Sequence, residues 1–150
     1  MNTHRRRGQL GYTLIELLVV LSMTSVLLTT ATVNLTEMVN PSEQGAATVA
    51  AFMKEVRAHA LSTTLAFEVY PITTKTLGAR FASSCSSASF TNDDSLSLEL
   101  PQRVDLTDLT WSVCFSPRGF ADASILIPLE DHYEGTKDVQ VFLGGAIRTQ

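Results

Sequence analysis

Three kinds of hydrophobic patterning follow one another along the chain. The first is a continuous apolar run from Tyr12 to Val33, YTLIELLVVLSMTSVLLTTATV, 22 residues with a single charge, Glu16. As a helix it would be about 33 Å long, enough to cross the ~30 Å hydrocarbon core of a bilayer. An ordinary secretory signal has an apolar core of about 7–15 residues and a small-x-small cleavage site after it. This run is longer, and only weak candidates (ATV, TAT) follow it. The pattern predicts a membrane-spanning helix, the alternative being a buried core helix.

The second kind has a helical period. Leu35, Met38 and Val39 continue an apolar stripe, which Asn40-Pro41 interrupts. Proline lacks a backbone donor and disfavours helix at the residue before it, so a kink or short break is expected there. Asn40 with Glu43 three residues on reads as a capping box, with Pro41 at the first helical position. In SEQGAATVAAFMKEVRAHALSTT, Val49, Phe52, Met53, Val56 and Ala60 fall on one face. Lys54, Glu55, Arg57 and His59 lie mostly opposite, which predicts an amphipathic helix with one face for a core. His59 reads as a solvated polar-side residue.

From Ala66 the period becomes that of strands. Ala66–Tyr70 and Leu96–Leu100 alternate and stop at Pro71 and Pro101. LTWSVCF (109–115) ends in a Pro117-Arg118-Gly119 turn, and Ile125–Ile127 and Val139–Leu143 complete the series before Gly144-Gly145. Short segments punctuated by Pro, Gly and Asp predict an antiparallel sheet. Between them, SSCSSASFTNDDS reads as a polar loop. The expected organisation is a leader (1–11), a transmembrane helix (12–39), an amphipathic helix (40–65) and a β-rich domain (66–150). The fold class is α+β, a long N-terminal helix with an antiparallel sheet on its C-terminal half.

Charge sharpens this picture. The chain carries 11 basic and 15 acidic residues, but Arg5, Arg6 and Arg7 stand together just before the apolar run. By the positive-inside rule the N-terminus stays cytoplasmic and everything after Val33 is exported. Without the first eleven residues the balance is 8 basic to 15 acidic, a net charge of −7. Such a surface repels phosphate backbones and counts against nucleic acid as a partner.

Glu16 is the anomaly of the run. A carboxylate in a membrane span costs on the order of 2.5–3.5 kcal/mol or more, so it needs a partner or a purpose. A cut after Gly11 would supply one, a new positively charged amino terminus at Tyr12. Gly11-Tyr12-Thr13-Leu14-Ile15-Glu16, preceded by a basic leader and followed by LLVVLSM, resembles the processing site of type IV prepilins and type II secretion pseudopilins. The resemblance implies cleavage by a prepilin peptidase between Gly11 and Tyr12 and N-methylation of Tyr12. It implies that Glu16 pairs during assembly with the terminal amine of a neighbouring subunit. Tyr12 departs from the commoner phenylalanine at a permissive position. A cut after Gly8 would place Glu16 eighth rather than fifth.

A second resemblance concerns the rest of the chain. MKEVRAHALSTTLAFEVY, FSPRGFADASILI and VQVFLGGAIR are similar to the globular domains of H-type minor pseudopilins and T-type fimbrial minor pilins. Phe115-Ser116-Pro117-Arg118-Gly119 matches their Phe-x-Pro-x-Gly turn in full. In some T-type members a Gly-Arg-x-Arg segment contributes to DNA capture. Gly145-Ala146-Ile147-Arg148 lacks its first arginine. The resemblance implies a minor pilin or pseudopilin of a type IV pilus or type II secretion pseudopilus, located in the inner membrane and then in a filament. Its implied partners are other pilins through the N-terminal helix, the prepilin peptidase, the inner-membrane assembly platform and membrane lipid. A DNA-capturing minor pilin of a competence system and a major pilin are the alternatives.

Remaining chemistry is sparse. Cys85 and Cys114 are the two cysteines, both beyond the apolar run and therefore on the oxidising side, where disulfides persist. The expectation is an intrachain disulfide. The rival is a buried free Cys114 with an exposed Cys85 that pairs with another chain. His4, His59 and His132 form no metal-ligand spacing with the cysteines. Glu130-Asp131-His132-Tyr133-Glu134 reads as a solvated acidic loop or a hard-cation site, and Asp93-Asp94 as a solvated pair. No catalytic signature appears, so neither an enzyme nor a cofactor is expected.

Overall fold

The computed structural model describes residues 13–37, 40–133 and 135–150, the side chains of 28–37 excepted. The chain divides into two compact units between Val39 and Asn40. In the first unit, α1 (Leu14–Glu37) is a 24-residue helix. Its apolar residues fall on all sides rather than in a stripe, and every side chain described along it, Leu14 to Leu27, is exposed within the chain. The hydroxyls of Ser22, Thr24 and Ser25 donate to the carbonyls of Val19, Leu21 and Ser22 at 2.8, 3.0 and 2.8 Å. These polar groups are thereby satisfied inside the helix itself. Among the described residues no helix is long and apolar enough to cross a membrane.

The second unit begins with α2 (Pro41–Thr63). Val49, Phe52, Met53, Val56 and Ala60 are all buried, as the helical spacing predicts. Gly45 is set by close approach: a Cβ there would lie 2.7 Å from Val104 Cγ1. Eight strands follow: β1 (Ala66–Pro71), β2 (Thr76–Ala82), β3 (Thr91–Glu99), β4 (Val104–Leu106), β5 (Val113–Phe115), β6 (Ile125–Asp131), β7 (Thr136–Val141) and β8 (Ile147–Thr149). They form two antiparallel sheets rather than one, ordered β3-β2-β1-β5 and β4-β6-β7-β8. The helix packs on both, chiefly against β1 of the first and β6, β7 and β8 of the second. The core between them includes Phe67, Val69, Leu77, Val113 and Phe115 from one sheet. The other contributes Val104, Leu106, Ile127, Leu129, Val139 and Val141.

The strand pattern departs from the sequence expectation in instructive places. The second half of the polar segment, Thr91 to Ser95, is strand. Its residues pair with β2 (Phe81↔Thr91, Arg80↔Asn92, Ala79↔Asp93), and a register shift then falls between Gly78 and Ala79. Backbone pairing holds this edge, so its side chains stay polar and, apart from half-buried Asp93, exposed. LTWSVCF keeps only its last three residues as strand. Asp108 Oδ1 accepts from Thr110 N at 2.8 Å and from its hydroxyl at 2.7 Å, a local turn that competes with the ladder. β2 lies outside the strands expected from the sequence, although Leu77, Ala79 and Phe81 alternate with Gly78 and Arg80 along it, and β4 and β8 are too short to carry a period.

The expected capping box at α2 is absent. Asn40 occupies the N-cap position, but its side chain makes no capping bond to the helix backbone. Its Oδ1 instead accepts from Ser42 Oγ at 2.7 Å. A carboxylate from β6 takes over, as described next.

Candidate functional site

The N-terminal site is built on the first turn of α1. Gly11 and Tyr12 lie outside the described residues. Thr13 stands immediately before the helix and Glu16 in its first turn, and the two side chains cap each other. Glu16 N donates to Thr13 Oγ1 at 3.3 Å, while Glu16 Oε2 lies 3.4 Å from Thr13 N and 3.5 Å from Thr13 Oγ1. This is the reciprocal arrangement of a Thr-x-x-Glu capping box, which fills donors that a helix start leaves open. The spacing is legible in the sequence as Thr13-Leu14-Ile15-Glu16. The carboxylate is exposed beside the helix start, facing the positive end of the helix dipole. The apolar side chains that follow it, from Leu17 to Leu27, are exposed too, so the surface around Glu16 lacks cover from within the described chain.

In the second unit three arrangements organise the surface. The first is the disulfide: Cys85 and Cys114 are bonded, with Cα atoms 5.7 Å apart. The alternative of a free Cys114 is thereby excluded. Cys114 alternates with the core residues Val113 and Phe115, so it lies on the opposite face of its sheet. It is nevertheless 2% exposed, and Ala66 and Ala82 on that face are buried as well. The serine-rich loop tied down by the bond contributes to that cover. Next to it Glu68 bridges Arg80, whose guanidinium lies 5.0 Å from the Tyr70 ring centre and 5.1 Å from that of Phe90.

The second arrangement explains the Phe115–Gly119 turn. Gly119 N donates to Ser116 O at 2.8 Å, and Gly119 adopts φ +76°, which favours glycine. Its carbonyl accepts from Arg57 Nε of α2 at 2.8 Å. Gly145, at φ +75°, packs against the same carbonyl, and a Cβ there would collide with it and with Arg57. Arg57, mostly opposite the core face of α2, is half-buried and joins the helix to two turns.

The third arrangement involves the acidic run. Asp131 is 4% exposed and points inward. Its Oδ1 accepts from Tyr133 N at 2.7 Å and Gly135 N at 3.0 Å, and its Oδ2 from Ser42 N at 3.3 Å. Burial pushes its pKa up, but hydrogen bonds from Gly135, Tyr133 and Ser42 outweigh this and hold it below the ordinary value. Asp105 follows the same logic. Burial raises its pKa, and hydrogen bonds from Lys75, His132 and Thr74 overcome that, so the net shift is downward. Glu134 lies outside the described residues. Among the described residues no cluster of His, Cys, Asp or Glu could hold a metal ion.

The family model described as the prokaryotic N-terminal methylation motif matches residues 6–32, which include Gly11, Tyr12 and Glu16. No curated protein matches the sequence. The fold is similar to that of the type IV minor pilin FimU of Pseudomonas aeruginosa, with 14% identity and a TM-score of 0.54 over 73% of this chain and 87% of that one. It is also similar to the minor pseudopilin EpsH from the type 2 secretion system of Vibrio cholerae, with 11% identity and a TM-score of 0.56 over 74% of this chain and 97% of that one. At such identities the likeness is one of fold, an α+β pilin fold. The motif match covers residues 6–32, and the two solved structures share the fold of the rest of the chain.

Proposed function

We propose that the chain is a minor pilin or pseudopilin that is cut after Gly11, methylated at Tyr12 and inserted into a filament through Glu16 and the apolar helix. The observation that carries this reading is the methylation motif over residues 6–32, followed by a helix whose apolar side chains are exposed on every side. Such a surface is stable only against lipid or other apolar helices. Before assembly it lies in the inner membrane with Arg5–Arg7 on the cytoplasmic side, and residues 40–150 face the periplasm. There the disulfide is chemically at home. The processing enzyme is a prepilin peptidase, and the assembly platform of the inner membrane delivers the subunit to its neighbours.

In this mechanism the Glu16 carboxylate rests against Thr13 at its own helix start until a neighbour's amino terminus arrives. The exchange replaces weak local hydrogen bonds of 3.3–3.5 Å by an ion pair in a low-dielectric setting, where such pairs gain strength. The chain's role is structural rather than catalytic, and the net charge of −7 beyond residue 11 argues against DNA capture. Mass spectrometry of membrane-extracted protein tests the reading: it should show a mature N-terminus at methylated Tyr12. Retention of Met1 to Gly11 in cells with an active prepilin peptidase would overturn it.

A further inference from the structure

The first turn of α2 takes its side-chain cap from a residue 89 positions away. Locally, Asn40 is extended (φ −68°, ψ 112°), its carbonyl accepts from Gln44 N at 3.1 Å and its Oδ1 from Ser42 Oγ at 2.7 Å, but its side chain takes no backbone N–H of the helix and Pro41 has none to give. The helix start is instead gripped by the loop between β6 and β7. Asp131 accepts from Ser42 N and folds its own loop through Tyr133 N and Gly135 N. The loop is fastened in turn to the residues beside β4. His132 N donates to Arg103 O at 3.1 Å, His132 Nε2 lies 3.1 Å from Asp105 Oδ2, and the Arg103 guanidinium lies 5.7 Å from the Tyr133 ring centre.

We propose that this loop is a clasp that insulates α2 and both sheets from the segment entering at Asn40, so that the preceding chain can change conformation without unravelling the helix. The physical reason is that helices fray from their ends, where the first N–H groups lack intrahelical partners. When the cap comes from the preceding residue, a disturbance upstream removes it. When it comes from a buried carboxylate fixed to β6, a disturbance upstream has no such bond to break. The inference concerns the coupling of two segments of one chain, so its failure would leave the pilin reading untouched.

Hydrogen exchange of the full chain in detergent micelles tests it. A Met38→Gly, Val39→Gly double variant should leave exchange over residues 41–46 within about twofold of the parent. Asp131→Ala should raise exchange there and over 132–135 by about tenfold, the scale expected for losing a helix cap, while residues 52–60 stay protected. Should Asp131→Ala fail to fold, Asp131→Asn, which keeps one acceptor oxygen, should give a smaller rise confined to the same amides. Glu130→Gln, on the exposed neighbouring acid, should change nothing. Loss of protection over 41–46 in the double-glycine variant overturns the proposal. So does an equal rise throughout α2 in the Asp131 variants, or an effect of Glu130→Gln matching theirs.

Discussion

Arg57 Nε donates to the carbonyl oxygen of Gly119 at 2.8 Å, tying the flank of α2 to a turn 62 residues further along the chain. Gly145 lies against the same carbonyl, so one helix and two turns meet at a single oxygen. A charged side chain that a helical wheel places among solvated residues thereby becomes a structural crosspiece. It fixes the Phe-x-Pro-x-Gly turn and the Gly-Gly turn relative to each other.

Gly145→Ala should be among the most damaging single-methyl changes in this unit. It places a Cβ at a backbone with φ +75°, and the Cβ meets the Gly119 carbonyl and Arg57. Strain of this kind costs about 1–3 kcal/mol. Gly144→Ala is the natural comparison, because a Cβ at Gly144 meets nothing within 4 Å. Thermal unfolding should show a drop of several degrees for the first and little change for the second. Equal melting temperatures would show that the junction is looser than described.

Reducing the Cys85–Cys114 bond should destabilise the domain without changing its architecture. The bond closes a loop of sequence separation 29. For a loop of that size the chain-entropy model gives about 3–4 kcal/mol. Denaturant titration with and without reductant measures it. The reduced protein should unfold at lower denaturant, and Cys85→Ser with Cys114→Ala should reproduce that midpoint.

The Asp131 carboxylate makes part of the stability pH-dependent, and the direction follows from its lowered pKa. A group whose pKa is depressed on folding contributes fully above its unfolded value and loses that contribution as pH falls through the folded one. Stability should therefore be flat in this respect at neutral pH and decline only as the pH drops below the ordinary carboxylate value of 3.8. Asp131→Asn should flatten that acid limb in a plot of unfolding free energy against pH. An unchanged limb would assign the decline to other carboxylates, Asp105 first among them.

Glu16→Ala should leave the chain in the membrane, since removing a charge makes the helix more apolar. On the proposed assembly mechanism it should nevertheless abolish crosslinking to other pilins, because that mechanism pairs this carboxylate with a neighbour's terminal amine. Thr13→Val should have a milder effect, since the helix start loses its cap but the carboxylate remains. Crosslinking that survives Glu16→Ala undiminished would remove charge pairing from the assembly mechanism.

The division between what is local and what is distant explains which features were legible before folding. The methylation motif, the apolar run and the basic cluster are contiguous, and each acts through composition or immediate neighbours, so reading along the chain finds them. The buried face of α2 was legible for a related reason: Val49, Phe52, Met53, Val56 and Ala60 repeat at the helix's own period, and a period is a local property. Even the pairing of Thr13 with Glu16 stood in the sequence as a spacing of three.

Tertiary structure alone decided the rest. Thr91 to Ser95 became a strand because β2 offers backbone partners, and ladder bonds do not consult side-chain polarity. The strands split into two sheets because α2 packs against both and buries a face of each, a geometry that no single strand's alternation encodes. Asp131 left the acidic run for the interior because Ser42, 89 residues earlier, presents an N–H that the fold brings within 3.3 Å. Arg57 is half-buried because two glycine turns close over it. The sequence by itself determined the methylation motif, the long apolar run and the buried face of α2. Which distant groups satisfy one another was decided only in the folded chain, because hydrogen-bond partners are chosen by proximity in space, and proximity between positions so far apart exists only after folding.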